Sequence, residues 1–291
     1  MADGARADVA IVTPSYGPDR ERCRLLCDSI DARVSGAAHH YILVADTDYE
    51  AFRDFGGPSR SVVRESDLLP ERFLSLPAPG GRVWLSTFAK PLRGWHVQQL
   101  RRMALARHVD HAALLYCDSD MAFVRDYDVA RLWRGGRLRL YRNAGGIHDG
   151  LVNGGRDHFA WTRHAHALLG LPVPEMPAHD YINNLVSWRR ETVLAMFARI
   201  EEVAERSWLR AVVGSRAFSE CQIYGAYAEA FASDAHWVDA TALCRTQWFG
   251  TSMGEEALAD FIGAMDADQV AVGIQSFTGT DPAALRRVLG L

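Results

Sequence analysis

In the stretch "LLYCDSDMAFVRD" (114–126), an apolar run ends in two aspartates one residue apart, Asp118 and Asp120, and a second apolar run starts at once. Residues i and i+2 of an extended segment point to the same side, so the two side chains are expected to converge. Carboxylates that close repel and need a shared proton or a cation. A hard divalent ion with oxygen ligands, Mg²⁺ or Mn²⁺, meets that need. Such an ion keeps few protein ligands and takes its other oxygens from substrate phosphates. The pair therefore predicts a site for a metal-bound diphosphate. The bland alternative is a polar turn in which Asp caps a loop and binds water. The context favours the metal, because the preceding strand is apolar and "MAFV" returns to the core immediately.

Other residues carry chemistry with weaker signals. "SECQ" fits a capping box with Ser219 as N-cap and Gln222 as reciprocal partner. Glu220 then lies in the first helical turn, where the helix dipole favours its charged form. Acids are favoured there for structural reasons too, so Glu220 and, behind it, Asp180 are candidates for a catalytic base. Lys90 and Arg93 lie on the entry to the helix that precedes the Asp118 strand, where cations can pair with a diphosphate. Among eleven histidines, His236 and His179 are the candidate third metal ligands. His164 and His166 point apart on a helix. Trp188, Trp248 and Phe249 can stack on sugar faces, although Trp is also good core material.

The elements that must position these groups alternate. Residues 8–16, 40–46, 61–65 and 111–120 read as strands. Residues 17–34 and 95–108 read as helices, the first with Cys23, Leu26, Cys27, Ile30 and Val34 on one stripe. This order predicts an α/β fold with a mainly parallel central sheet and flanking crossover helices, whose ligands bind beyond the carboxyl ends of the strands. Residues 68–92, rich in Pro and Gly, read as loop. Residues 143–157 read as a Gly- and Asn-rich loop, "YINNLVSW" as a strand and 218–232 as a helix. The expected organisation is a disordered 1–7 followed by two halves, 8–142 and 143–291, of one compact unit.

The bulk numbers exclude several classes. The chain has 291 residues, 48% hydrophobic and 23% charged, with formal net charge -4, so nucleic-acid binding is not expected. The densest basic stretch, 131–142, alternates Arg with Leu and Tyr and reads as a solvated strand face. No run is long enough for a membrane span, and the N-terminus has no apolar signal core. Five cysteines without CxxC pairing read as buried free thiols. A cytoplasmic location is expected.

The order of "VTPSY", "VADTD" and "YCDSDMAFVR" resembles a GT-A glycosyltransferase. More closely, "GWHVQQL", "YCDSDMAFVR" and "FSECQIYG" resemble a bacterial family of glycosyltransferase-like chains grouped as a domain of unknown function. The resemblance covers roughly residues 8–250. It implies a GT-A-like, Rossmann-type nucleotide-binding fold and a hexosyltransferase-like activity on a UDP- or GDP-sugar donor and a small-molecule or glycan hydroxyl acceptor. It implies Mn²⁺ or Mg²⁺ at Asp118 and Asp120, with Asp118 and Ser119 also against the donor. It further implies donor contacts from Thr13, Pro14, Tyr16, Asp46, Lys90, Arg93 and Gln99, and Glu220 as base if the reaction inverts; a retaining reaction is the open alternative. The same resemblance implies nucleotide-sugar binding for the half at 8–142 and acceptor binding and catalysis for the half at 143–291. A sugar nucleotidyltransferase fits less well, since "TPSYGPDRER" is not a Gly-rich phosphate loop. A phosphatase of the DxD type would carry its aspartates after the first strand. A non-catalytic sugar-binding protein on a degenerate GT-A frame is opposed by the intact Asp118, Asp120 and Glu220.

Overall fold

The computed structural model describes residues 8–79, 81–148, 152–153 and 156–291. Residues 1–7, for which the sequence predicts disorder, and part of the expected 143–157 loop lie outside the described residues. The apolar, β-branched runs form strands β1 (Val9–Pro14), β2 (His39–Val44), β3 (Arg60–Arg64) and β4 (Ala113–Cys117). All four are parallel, in the order β4-β1-β2-β3. Every residue of β1 and β4 is buried, the pattern of strands covered on both faces. Helix α1 (Arg20–Arg33) follows β1 after a 3₁₀ turn at Gly17–Asp19, and buries Cys23, Leu26, Cys27 and Ile30 as the stripe predicts. Helix α2 (Gly94–Ala104) buries Val97, Leu100, Met103 and Ala104. The result is a mixed α/β molecule with a mainly parallel central sheet and flanking helices.

The chain after residue 142 is woven into this sheet. Strand β6 (Leu185–Arg189) joins it antiparallel to β4, with Leu185 opposite Cys117. A second, three-stranded sheet has the order β7-β8-β5, from β5 (Met121–Phe123), β7 (Cys244–Gln247) and β8 (Ala271–Ile274). Gly273 of β8 stands opposite Met121 of β5. "MAFV" thus returns to the core in a different sheet from β4. Between the two sheets the backbone makes a tight turn, with Met121 N donating to Asp118 O at 3.2 Å. Helix α3 (Glu220–Phe231) packs nearly all of its first nine residues inward.

Several sequence expectations are corrected. Residues 68–92 contain an antiparallel hairpin, Leu74–Ala78 with Gly81–Leu85. Its strand residues are exposed or half-buried apart from Trp84, so no burial period marks them. It is anchored by buried Trp84, whose Nε1 donates to Glu65 at 3.0 Å. Trp188 is no sugar platform. It is 2% exposed and stacked on Tyr224 at 4.9 Å, with Tyr116 at 4.4 Å on its other flank. In the basic stretch, Arg134 and Arg137 are exposed as expected, but Arg139 is buried and donates to Asp239 at 2.8 Å and to the Thr241 carbonyl. All five cysteines are buried and free. Among the described residues no helix is long and apolar enough to cross a membrane.

Candidate active site

The carboxyl ends of β1 and β4 meet the start of α3 and the second sheet, and most of the chemistry-bearing residues gather there. Asp118 leaves β4 and Asp120 follows in the turn. Because 118–121 is a turn, alternation along a strand is not what aims the two side chains. The turn still brings them within each other's field. Burial pushes the Asp120 carboxyl up, and the charges of Asp118 and Asp19 push it further, to about 8. Asp120 Oδ2 accepts from the Ser276 backbone N–H at 3.1 Å, while its buried Oδ1 has no partner among the described residues. Burial also raises Asp118, against the pull of Arg102.

Arg102 ties this turn to α3. Its Nη1 lies 2.9 Å from Glu220 Oε1 and 3.4 Å from Asp118 Oδ1. Its guanidinium lies over Tyr116, 4.8 Å from the ring centre. Burial works against its charge, but Glu220 and Asp118 outweigh that and hold its pKa above the ordinary value. Glu220 is 4% exposed, with its carboxyl raised by burial and drawn back by Arg102. The Glu220 N–H donates to Gln99 Oε1 at 2.9 Å. Gln99 therefore fixes the start of α3 and does not face a nucleotide.

Half of the predicted capping box forms. Ser219 Oγ accepts from Gln222 N at 3.4 Å, as an N-cap should. The Gln222 side chain does not return to Ser219. Its Nε2 donates to Asp180 Oδ1 at 2.9 Å, and Asp180 also accepts from Ile182 N at 3.0 Å. Asp180 Oδ2 faces His158 Nδ1 at 3.6 Å.

On the other flank lies Asp19, from the turn before α1. It is buried, with its carboxyl raised by that burial and drawn back by Arg22, whose Nη1 lies 3.4 Å from Oδ1, and by the nearby Ser276 and Ser119 side chains. Exposed aromatics follow the strand ends: Tyr16 after β1, Trp248 and Phe249 after β7, and Phe277 after β8. Tyr16 shares Ser276 with Asp19.

Other expected residues fall elsewhere. Thr13 is buried in β1 with its hydroxyl 2.9 Å from His40 Nε2, and Pro14 is buried beside it. Neither presents a surface to a ligand. Asp46 is exposed at the end of β2 and accepts from Ser66 at 2.5 Å. Lys90 is exposed, and exposed Arg93 donates to the Pro79 carbonyl at 3.3 Å. His236 sits in the strand His236–Asp239, with Nε2 bonded to Tyr224 Oη at 2.8 Å and Nδ1 to the Ala232 carbonyl at 2.9 Å. Both ring nitrogens are taken, which removes it as a metal ligand. His179 Nδ1 accepts from Gly145 N at 3.4 Å.

Sequence reasoning missed Arg102, Asp19, Ser276 and Asn184. Arg102 carried a signal, since it falls between inward-facing Leu100 and Met103 and three residues after buried Gln99. Nothing local marked Asp19 or Ser276, which the topology alone brings to Asp120.

Among the described residues, no group of three or more His, Cys, Asp or Glu side chains is arranged to hold a metal ion. No curated protein sequence matches the chain. A family model described as "Family of unknown function (DUF6492)" matches residues 9–290, nearly the whole length, and the chain therefore belongs to the DUF6492 family.

Proposed function

We propose that this protein is a metal-dependent glycosyltransferase of GT-A type, moving a sugar from a UDP- or GDP-sugar to a hydroxyl acceptor. One observation carries the reading: a half-buried carboxylate pair at the carboxyl end of a central parallel strand, in which the buried Asp120 Oδ1 has no partner among the described residues. A buried polar atom is almost always hydrogen-bonded, and a carboxylate destabilised by a neighbouring carboxylate is the group a cation relieves. Asp118 and Asp120 would hold Mn²⁺ or Mg²⁺. When bound, the ion supplies Lewis-acid neutralisation of the donor diphosphate.

The chain's own residues have separate tasks. Arg102 holds Asp118, and Glu220 and Gln99 hold Arg102 and the start of α3 in place. Glu220 is 4% exposed and turned onto a buried guanidinium at 2.9 Å, away from an incoming hydroxyl, so its proposed role is positioning. Tyr16 and Phe277, exposed beside Ser276, and Trp248 offer flat faces for a base or sugar ring. Asp180 is the remaining candidate base for an inverting reaction.

The test is a thermal-shift series with UDP and GDP, with Mn²⁺ or with EDTA. A ligand that binds only the folded state raises its apparent stability. A diphosphate shift that needs Mn²⁺ supports the reading. Equal shifts in EDTA would move the phosphate charge onto Lys90 and Arg93 and remove the metal.

A further inference from the structure

Asn184 immediately precedes β6. Leu185 pairs with Cys117, so Asn184 is the next residue outward, on the level of Asp118. It is 1% exposed, and neither Oδ1 nor Nδ2 has a hydrogen-bond partner among the described residues. A buried amide left wholly unpaired opposes folding and calls for an explanation other than packing. Local capping does not supply one, because its neighbour Asn183 already accepts from Leu185 N at 3.2 Å.

The surroundings show where the amide lies. A Cβ at Gly273 would stand 2.7 Å from Asn184 Nδ2, 3.2 Å from Thr246 Oγ1 and 3.3 Å from Cys244 Sγ. Gly273 thus leaves room for the amide against the second sheet. The residue after it, Ile274, donates its N–H to Asp120 O at 3.0 Å. The Cys244 thiol, beside the same point, feels the charges of both Asp120 and Asp118. The amide and the Asp118–Asp120 turn therefore lie on adjacent levels of the two sheets, between the end of β4 and the start of β5.

We infer that Asn184 is a protein ligand of the divalent cation, its amide oxygen completing an oxygen set with Asp118 and Asp120. The inference rests on the proposed function. Hard cations accept Asn carbonyl oxygens alongside carboxylates. A neutral oxygen suits this turn, where Asp19, Asp118 and Asp120 already repel one another and a further carboxylate would add to the strain. Gly273 acts as the spacer that leaves the amide free to turn.

The test is Mn²⁺ binding to the full-length, metal-stripped chain, followed by the electron paramagnetic resonance of free Mn²⁺, alongside the metal-free melting temperature. Asn184→Leu keeps the volume and removes both polar atoms. The expected result is Mn²⁺ affinity lowered by roughly tenfold or more, a loss typical even of outer-shell partners, with a melting temperature equal to or above the parent's. Unchanged Mn²⁺ affinity in folded Asn184→Leu overturns the inference. Gly273→Ala, which crowds the amide and deletes no polar atom, is the second probe and decides the matter if the first variant does not fold. It should also weaken Mn²⁺, and unchanged affinity there overturns the spacer role and, where it stands alone, the inference. Parent protein that binds no Mn²⁺ with or without diphosphate sinks the proposed function and this inference together. Parent protein that binds Mn²⁺ through Asp120 while Asn184→Leu binds equally sinks the inference alone.

Discussion

Asp120→Asn is expected to stabilise the metal-free protein, and to do so by an amount that grows with pH. In the folded state the Asp120 carboxyl is pushed from 3.8 up to about 8 by burial, Asp118 and Asp19. A group whose folded pKa is raised contributes stability that is present below its unfolded pKa and is lost as pH rises through the folded one. Each pH unit between those two values removes about 1.4 kcal/mol, and rearrangement of Asp118 and Asp19 will absorb part of the total. A net gain of a few kcal/mol for Asn at pH 8, and little near pH 4, is the expected order of magnitude. The assay is urea unfolding of both proteins in EDTA from pH 4 to 9. The parent should lose stability steadily relative to the variant up to about pH 8 and then run parallel. Saturating Mn²⁺ should flatten the parent's decline. Curves that stay parallel throughout in EDTA would refute the reasoning, because Asp120 would then be as easily ionised in the fold as in the unfolded chain.

Further outcomes follow from other parts of the structure. Arg102→Leu removes the cation shared by Glu220 and Asp118. The expected loss is about 3–5 kcal/mol in urea at pH 8, shrinking as pH falls because Glu220, already raised by burial, takes up a proton more readily once Arg102 is gone. A loss independent of pH would contradict the pairing. Glu220→Gln keeps the side-chain shape, and as a positioning residue it should cost less than the ~10²–10⁴-fold of a lost general base. Sugar-transfer rates falling by that larger factor, with donor affinity intact, would restore Glu220 as the base. Trp188→Ala should destabilise by about 3–5 kcal/mol as a core deletion, read by thermal denaturation. A variant of parental stability with weakened acceptor binding would instead mark Trp188 as a contact surface.

Much of the frame was legible because it is written locally. The β-branched runs marked β1, β2 and β3, the apolar run marked β4, and the spacing of Cys23, Leu26, Cys27 and Ile30 marked α1. The aspartate pair was legible from an apolar strand ending in charge. The exposed hairpin at 74–85 was not, since its side chains face water and carry no period. The aim of the two aspartates was also misread, because the chain leaves the sheet at Asp118 and turns, where extended chain was expected. The residues around the aspartate turn come from far along the chain: β6 running back along β4 and β8 pairing with β5 bring Asn184 and Ser276 to its level. Trp188 and His236 show the same limit from the other side. A tryptophan or histidine reads identically whether it faces a ligand or a buried tyrosine, and here both face Tyr224.

The central claim is that Asp118 and Asp120 form the cation site through which a nucleoside diphosphate is held. Isothermal titration of UDP and GDP into the parent and into Asp118→Ala and Asp120→Ala, each with Mn²⁺ and with EDTA, tests it most directly. The account predicts that one diphosphate binds the parent in Mn²⁺, that EDTA abolishes the heat, and that neither folded variant recovers it. Diphosphate binding by the parent that persists in EDTA, or by Asp120→Ala at parental affinity in Mn²⁺, would contradict it.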